Sequence, residues 1–293
     1  MKGRQGMDVQ FWGVRGTFPV ARRPASRIGG NTPCAAVTSG AGDVFIIDAG
    51  TGIRTLGDAL IAGRKTGPLR LSLIFTHFHL DHVQGLPFFA PLLLVDAEIR
   101  FYSALDPEDM KGYLGRLMGK PYFPMPFDRT PAAKSFHKID GAGIGIGSVR
   151  ISACPLHHPQ GSVAYRLEED GAAVVFATDT EPVADRVDER LAEFAKGASC
   201  LVYDAMFTPE EYVSGRQGWG HSTWLEGAKL AKAAGVSNLI LSHFNPDHSD
   251  RVILGLARRA RGIFPATTCA REGLRLTLTP NGPTARGREA DRS

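Results

Sequence analysis

The chain has 293 residues, is 43% hydrophobic and 22% charged, and carries a formal net charge of +4 at pH 7, values typical of a soluble globular protein rather than a disordered or fibrous one. Positive charge is concentrated in residues 1–27, but no basic stripe with interleaved aromatic residues is present, which argues against a dedicated nucleic-acid-binding surface. The longest apolar run, 87–95, is broken by prolines and is too short to span a bilayer.

Short β-rich runs alternate with helical patterns along nearly the whole chain. In chain order, strands are predicted at 43–50, 69–77, 98–103, 148–158, 162–180, 200–207 and 238–244. Helices are predicted at 52–63, 82–92, 186–196, 223–234 and 249–261. The 162–180 segment contains the turn sequence EEDG and is therefore expected to be a hairpin. The alternation predicts a single layered α/β domain over residues 1–280, with sheets covered by helices.

Three segments have a distinctive local signal. The helix at 223–234 has the clearest boundaries, because Thr223 can cap it and Gly235 can end it. Within the insertion 83–156, the stretch GKPYFPMPFDR is rich in proline and aromatic residues and suits either a lid or a contact in a homodimer. Residues 281–293 lack apolar residues large enough to pack, so we expect them to form a disordered tail.

The N-terminus and the cysteines indicate a cytoplasmic protein. The first ten residues contain no apolar stretch of the kind that forms a signal peptide. The cysteines are scattered and form no CxxC pair, so we interpret them as buried thiols in a reducing compartment rather than as a disulfide framework. We therefore expect a cytoplasmic location and no association with a membrane.

The predicted strands repeatedly end in a residue that can bind a metal ion. These strand-terminal residues are Asp48, His77, His157, His158, Asp179 and His243. Ligands of α/β proteins gather at the sheet edge that lies beyond the carboxyl ends of the strands. Because the residues come from five separate segments, we expect them to form one cluster at such an edge.

The segment THFHLDH, residues 76–82, holds the densest set of candidate ligands. In an extended segment His77 and His79 face the same side, so both imidazoles can reach one ion. Asp81 and His82 fall at the start of the predicted helix and suit a second ion nearby. Nitrogen and carboxylate donors without thiolates suit Zn²⁺ first, and also Mn²⁺ or Fe. The segment therefore predicts two divalent metal ions, which together can hold a bridging hydroxide and stabilise an anionic transition state.

These motifs resemble the metallo-β-lactamase superfamily. THFHLDH matches the HxHxDH signature of that superfamily, and the remaining strand-terminal residues follow in the family's order over roughly residues 7–279. The resemblance implies an αββα sandwich of the metallo-β-lactamase type, with the metal site at one edge of the sheets.

The resemblance also implies which residues bind the ions. By this resemblance, one ion would be held by His77, His79 and His158, and the other by Asp81, His82 and His243. Asp179 would bridge the two ions. His158 is chosen over His157 because the sequence HPQGSVAYRLE resembles the family's HPxG stretch. Asp48 would lie behind the ligands and orient a histidine by a hydrogen bond.

Two further stretches resemble ribonuclease Z and related phosphodiesterases. In the HST segment of those enzymes a histidine lies 22 residues before the last metal-binding histidine, and in GWGHSTWLEGAKLA His221 lies 22 residues before His243. Such a histidine can protonate the leaving oxygen or stabilise the charge that develops on the phosphate. The stretches GVRGTFPV and GGNTPC suggest Arg15, Asn31 and Thr32 as substrate-binding residues, although a glycine-rich turn can equally be structural.

One difference from bacterial ribonuclease Z limits the class of substrate that we expect. Bacterial ribonuclease Z carries a long arm that grips tRNA, inserted between the third metal motif and the bridging aspartate. Here only 21 residues separate His158 from Asp179, and the predicted hairpin fills them. We therefore expect no tRNA-binding arm and a small phosphodiester as the substrate.

The sequence thus predicts a dinuclear metal-dependent hydrolase, most simply a phosphodiesterase acting on a cyclic nucleotide or cyclic phosphate. A metal-bridging hydroxide would attack phosphorus, Asp81 would bind metal and orient the hydroxide, and His221 would assist the departing alkoxide. Two alternatives stay open: a metal-dependent hydrolase of thioesters or lactones, and a non-catalytic metal-binding carrier or sensor of the same fold. The HST segment weighs against the first, and the complete ligand set weighs against the second.

Overall fold

Two β-sheets form the centre of the protein in a computed structural model that describes residues 6–21, 27–64, 67–280 and 282–285. Within those residues the strands are β1 (Met7–Gly13), β2 (Cys34–Thr38), β3 (Val44–Ile47), β4 (Leu69–Ile74), β5 (Ala97–Ser103), β6 (Ala133–Lys138), β7 (Ile144–Ile146), β8 (Val149–Leu156), β9 (Ser162–Glu169), β10 (Ala172–Ala177), β11 (Cys200–Asp204), β12 (Leu239–Ser242), β13 (Thr267–Cys269), β14 (Arg275–Thr279) and β15 (Gly282–Ala285). The α-helices are α1 (Ile53–Ala62), α2 (Leu80–Val83), α3 (Pro107–Leu117), α4 (Glu189–Ala195), α5 (Pro209–Val213), α6 (Trp224–Ala234) and α7 (Asp250–Ala260).

Parallel pairing in each sheet brings several strand ends to one edge. The first sheet has the order β15-β14-β1-β2-β3-β4-β5-β6, and the second has the order β13-β12-β11-β10-β9-β8-β7. Strands β3 and β4 pair in parallel in the first sheet, as do β10, β11 and β12 in the second. Strand β8 runs in the direction of β10 because the antiparallel β9 separates them. The carboxyl ends of these strands are the positions at which α/β proteins place their ligands.

The predicted αββα sandwich is confirmed. Side chains of β3 alternate between two apolar clusters: Phe45 and Ile47 join the cluster shared by both sheets, whereas Ile46 joins the cluster beneath the helices of the first sheet. A strand with both faces buried is expected when its sheet is covered on both sides. Helices α1 and α3 pack on the first sheet, and α4, α6 and α7 pack on the second.

The predicted helix at 82–92 is wrong. Helix α2 ends at Val83, and two 3₁₀ turns follow at Leu86–Phe88 and Ala90–Leu93. Pro87 and Pro91 lack the N–H group that a continuing α-helix needs, and their rings clash with the preceding turn. The break therefore follows from the two prolines within the apolar run.

The helix predicted at 223–234 and the hairpin predicted at 162–180 are confirmed. Helix α6 begins at the predicted cap, because the Thr223 side chain accepts a hydrogen bond from the backbone N–H of Glu226. It ends at Gly235, whose φ of 63° lies in the left-handed region that glycine favours. Strands β9 and β10 pair antiparallel across the predicted turn.

The predicted disordered tail, 281–293, falls within the described residues only at 282–285. These four residues form β15 and pair antiparallel with β14. The expectation of disorder is wrong for them, because the neighbouring strand supplies partners for their backbone groups. The other positions of the predicted tail, 281 and 286–293, lie outside the described residues.

Arg15 joins the N-terminal loop to the loop that follows β12. Its side chain is buried and donates hydrogen bonds to the backbone oxygens of Gly29, Asn245 and His248, at 2.9, 3.1 and 2.8 Å. It also pairs with the Asp250 carboxylate at 3.3 Å. The expectation that Arg15 binds substrate is wrong, because these structural partners occupy its guanidinium.

Replacing Arg15 should destabilise the fold strongly. Arg15→Ala removes the buried guanidinium that pairs with the Asp250 carboxylate and donates to three backbone carbonyls, so we expect the free energy of unfolding to fall by about 3–5 kcal/mol. Urea denaturation followed by circular dichroism measures the change. The matched control is Arg70→Ala, which removes an exposed pair with Glu98 and should have a far smaller effect. Equal losses in the two variants would contradict the structural role of Arg15.

Candidate metal centre

Five segments deliver histidine and aspartate side chains to an edge shared by the two sheets. The first sheet supplies Asp48 after β3 and the THFHLDH segment after β4. The second sheet supplies His158 after β8, Asp179 after β10 and His243 after β12. This is the clustering expected from the strand ends, and it arises because these strands point their carboxyl ends the same way.

Three of these residues share an uncommon backbone conformation. The φ angles of Asp48, Asp179 and His243 are 61°, 59° and 58°. Non-glycine residues adopt this left-handed region infrequently. Such conformations persist where the surrounding structure enforces them, and they concentrate at functional sites. The shared conformation therefore agrees with a functional role for the three strand ends, although Thr17, Gln160, Asp170 and Asp185 also have positive φ angles.

One group of donors consists of His77, His79 and His158. One ring nitrogen from each lies within 4.8 Å of the others. Nδ1 of His79 is 3.0 Å from Nε2 of His158. Three imidazole nitrogens that converge in this way match the ligand set of a single metal ion.

A second group consists of Asp81, His82 and His243, all three buried. Nε2 of His82 and Nε2 of His243 are 3.3 Å apart. Each of these nitrogens is also 3.3 Å from Oδ2 of Asp81. The group thus offers two nitrogens and one carboxylate oxygen to a common point.

Asp179 lies between the two groups and presents one oxygen to each. Its Oδ1 is 3.9 Å from Nε2 of both His77 and His158. Its Oδ2 is 3.2 Å from Nε2 of both His82 and His243. The carboxylate therefore lies between the two groups, and its role as a bridging ligand stays a prediction.

The donor atoms fit divalent metal ions. Nε2 of His77 and Oδ2 of Asp179 are buried and have no hydrogen-bond partner within the described part of the chain. Buried polar atoms nearly always have a partner, so these atoms are suited to one that the protein does not supply. Imidazole and carboxylate donors are those that Zn²⁺ takes, and Mn²⁺ and Fe also accept them.

The charges of the site also favour bound cations. Burial raises the pKa of the Asp81 and Asp179 carboxyls, but the neighbouring histidines, His82 and His243 foremost, hold both well below their usual range. Burial lowers the pKa of His82, but the carboxylates of Asp179, Asp81 and Asp48 raise it well above its usual value. The carboxylates thus stay ionised in a buried site, which is a state that positive charge stabilises.

Asp48 holds His82 in position. Its Oδ2 is 2.9 Å from Nδ1 of His82, which leaves Nε2 of that ring facing the second group. The carboxylate is fixed in turn by Thr76, whose backbone N–H and hydroxyl donate to it at 2.8 and 2.9 Å. A carboxylate behind a metal-binding histidine fixes the tautomer and the ring orientation, and this is the position expected for Asp48.

Two glycines let the backbone pass directly against site histidines. A Cβ atom at Gly16 would lie 2.4 Å from Cε1 of His243, and one at Gly220 would lie 2.3 Å from Nδ1 of His158. The Gly220 carbonyl oxygen is 2.7 Å from the same Nδ1, which directs Nε2 of His158 towards the first group. The close approaches explain why glycine stands at these two positions.

Asp204, at the end of β11, supports the site from behind. It is fully buried and accepts hydrogen bonds from the backbone N–H groups of Asp179, Met206 and Ser222, at 2.9, 3.0 and 3.1 Å. Its Oδ2 is also 3.0 Å from Nδ1 of His221. In sequence terms, an aspartate at the end of a strand can equally be a capping residue. The strand-terminal position was the available signal, because β11 ends at the same edge as β10 and β12.

His221 lies beside both donor groups. Its ring centroid is 5.1 Å from that of His243 and 5.4 Å from that of His158. Burial lowers its pKa, but the charge of Asp204 and the hydrogen bond to it outweigh burial and raise the pKa to about 9. Below that pH the ring carries a proton on each nitrogen, and with Nδ1 held by Asp204 it is Nε2 that can donate a proton.

The remaining candidate residues, His157, Thr32 and Asn31, belong to neither donor group. His157 is exposed and lies 3.5 Å from Asp188, so the choice of His158 agrees with the geometry. Thr32 is buried, and its hydroxyl accepts from the Thr51 N–H at 2.8 Å; the expectation that it binds substrate is wrong. Asn31 is half-buried and accepts from the Thr51 hydroxyl at 2.9 Å, and its role in substrate binding stays a prediction.

A cavity of about 900 Å³ lies beside the first donor group, with His77 and His79 among its lining residues. Helix α3 and Tyr122 form one wall, and the end of β8 and start of β9 form another. The insertion predicted to be a lid or a contact between copies thus supplies part of a cavity wall next to the candidate metal ligands.

Comparisons with known proteins agree with this architecture. A family model described as the beta-lactamase superfamily domain matches residues 44–244. Ribonuclease Z of Synechococcus sp. is 24% identical to the chain, over 94% of this chain and 97% of the relative. The metallo-beta-lactamase fold protein YhfI from Bacillus subtilis has a TM-score of 0.68 at 20% identity, covering 93% of this chain and 99% of that one. A diphosphatase from the PhnP family has a TM-score of 0.65 at 18% identity, covering 92% and 97%.

Within the described residues, none of the helices combines the length and the apolar character needed to cross a membrane.

The pairing of Asp204 with His221 can be tested by nuclear magnetic resonance. In the metal-free protein the His221 imidazole should titrate with a pKa of about 9. Asp204→Asn removes the negative charge, so the pKa of His221 should fall to its ordinary value near 6.5 or below. Asp188→Asn, next to the exposed His157, is the matched control and should leave the His221 titration in place. A titration of His221 that is the same in the wild type and in Asp204→Asn would contradict the pairing.

Proposed function

The chain belongs to the metallo-β-lactamase superfamily, and on that basis we propose that it is a phosphodiesterase that uses two divalent metal ions to cleave a small phosphodiester. The observation that carries the proposal is the pair of donor groups that share Asp179, with the His221–Asp204 pair beside them. A cyclic nucleotide or a cyclic phosphate is the substrate class that we propose.

Seven side chains would hold the ions, which we propose to be zinc: His77, His79 and His158; Asp81, His82 and His243; and Asp179 between the two groups. When bound, such ions lower the pKa of water and neutralise the negative charge of a phosphate group. The placement of Asp179 between the groups supports two ions rather than one, because its two oxygens face different donor sets.

His221 would donate a proton to the leaving oxygen. The charge of Asp204 and the hydrogen bond to it raise the pKa of His221, and Asp204 holds Nδ1 so that the ring presents Nε2. General acid catalysis of this kind contributes about 10²- to 10⁴-fold to the rate. Asp204 would stabilise the cationic form of the ring and fix its orientation.

Asp81 would bind metal and orient the attacking water. Its Oδ2 accepts a hydrogen bond from the backbone N–H of Thr17 at 2.8 Å. This bond fixes the carboxylate at the start of α2, where the second donor group also includes His82. A carboxylate held in this way can accept a hydrogen bond from water in a defined direction.

The local structure supports a small substrate. Strands β9 and β10 occupy most of the interval between His158 and Asp179, the interval in which the resemblance to bacterial ribonuclease Z would place a tRNA-binding arm. The names of two similar proteins, a ribonuclease Z and a diphosphatase of the PhnP family, support chemistry at phosphorus. Together these features favour a phosphodiester that lacks the bulk of a folded RNA.

A reducing compartment suits the cysteines. All four lie within the described residues, are buried, and form no disulfide bond. Cytosolic proteins keep their thiols reduced. We therefore propose a cytoplasmic location.

The role of His221 can be separated from a structural role by the choice of leaving group. His221→Ala should lower kcat for a 2′,3′-cyclic nucleotide by about 10²- to 10⁴-fold, because an alkoxide leaves with difficulty without a proton. The same variant should lose much less activity on bis(p-nitrophenyl) phosphate, because p-nitrophenolate is a good leaving group. Initial rates with each substrate give the two losses of activity, and the metal content of each sample shows whether the variant retains its ions.

The control variant for this experiment is His157→Ala, which removes an exposed histidine of the same type and should keep both activities. If His221→Ala retains its metal and loses the same fraction of its activity on both substrates, His221 does not act as the proton donor. A zinc-loaded wild type that cleaves neither substrate would overturn the proposed function.

A further inference from the structure

We propose that the cavity beside His77 and His79 binds an aromatic group of the substrate, so that small phosphodiesters that carry an aromatic group are the preferred substrates. This inference rests on the proposed function, because it takes the phosphoryl group to lie at the metal centre. The volume of about 900 Å³ is within the range of small-molecule sites.

The cavity is continuous with the metal centre. His77 and His79 belong both to its lining and to the first donor group. Gln160, another lining residue, lies 3.3 Å from Nε2 of His79 through its side-chain oxygen. A phosphoryl group placed at the donor atoms would therefore direct one ester substituent into this space.

The walls of the cavity are mainly apolar and aromatic. Phe78 makes an edge-to-face contact with Tyr113 at 5.4 Å between ring centroids and lies 5.0 Å from Phe75. Leu80 and Tyr122 also line the cavity and expose 64% and 83% of their surface. Large exposed apolar side chains next to a polar site favour an apolar ligand that removes them from water.

The aromatic wall is held by the core rather than by the ligand. Helix α3 buries Met110 and Leu114 in the apolar cluster of the first sheet. Tyr113, on the same helix, is thereby placed against Phe78. A preformed aromatic surface binds a flat ring with little loss of conformational freedom.

The charges of the lining suit an anionic ester. Arg116 lines the cavity, with its guanidinium 4.8 Å from the Tyr113 ring centroid. None of the described residues that line the cavity carries a carboxylate. A guanidinium in a lining that has no carboxylate attracts an anionic phosphate ester.

One polar atom in the cavity is suited to a ligand. The Ser162 hydroxyl is buried, with the residue 3% exposed, and has no hydrogen-bond partner within the described residues. Ser162 lines the cavity at the start of β9. A buried hydroxyl without a partner costs free energy, and a polar atom on the aryl group would satisfy it.

Binding of simple phosphonates to the zinc-loaded protein tests the inference without turnover. Isothermal titration calorimetry would compare methylphosphonate, phenylphosphonate and 1-naphthylphosphonate, which differ only in the organic group. Burial of a phenyl ring should make phenylphosphonate bind at least about 10-fold more tightly than methylphosphonate, and the naphthyl compound should bind at least as tightly. Tyr122→Ala and Tyr113→Ala should each reduce the phenyl-to-methyl ratio severalfold.

Phe88→Ala is the matched control, because Phe88 is an exposed aromatic residue that does not line the cavity; the ratio should persist in this variant. Equal affinities of the wild type for methyl- and phenylphosphonate would overturn the inference. A preference that Tyr122→Ala and Tyr113→Ala both leave intact would also overturn it. A phenyl preference in a protein that cleaves no phosphodiester would instead refute the proposed function and leave the aryl site standing.

Discussion

A buried carboxylate is unfavourable unless positive charge or hydrogen-bond donors surround it, and Asp179 lies 3.2–3.9 Å from nitrogens of four imidazoles. Two of them, His77 and His82, come from the first sheet, and two, His158 and His243, come from the second. The interaction can form only when both sheets are packed face to face. The αββα sandwich thus serves as the frame that brings separate segments within reach of one carboxylate.

The residues behind the donors fix which atom each donor presents. Asp48 holds Nδ1 of His82, and the Gly220 carbonyl holds Nδ1 of His158, so that Nε2 of both rings faces inwards. Asp204 bonds the backbone of Asp179 and the ring of His221 with one carboxylate. The candidate ligands and the candidate proton donor are therefore coupled through a single buried group.

The donor set could be predicted from the sequence because its pattern is local. His77 and His79 follow a strand with the two-residue period of extended chain, and parallel strands end at a common edge. Asp204 could not be assigned, because a strand-terminal aspartate is also a common cap and its partners lie in other segments. Arg15 was misjudged for a related reason. Arg15 lies in a glycine-rich motif, which suggested a ligand-binding turn. The partners that bury its side chain, Asp250 and the backbone of His248, lie more than 230 residues further along the chain.

The helix that forms one wall of the cavity, α3, could not be predicted from the sequence either. Helix α3 contains Gly112 and Gly115, which weaken the helical signal of its residues. Its packing depends on Met110 and Leu114 meeting the apolar cluster of the first sheet. Tertiary contacts of this kind override local propensity.

We propose that two metal ions share Asp179, and anomalous diffraction at the zinc edge from crystals of the zinc-loaded protein would locate them. We expect two peaks, one among His77, His79 and His158 and one among Asp81, His82 and His243, with Asp179 adjoining both. A single peak, or peaks away from these residues, would contradict it.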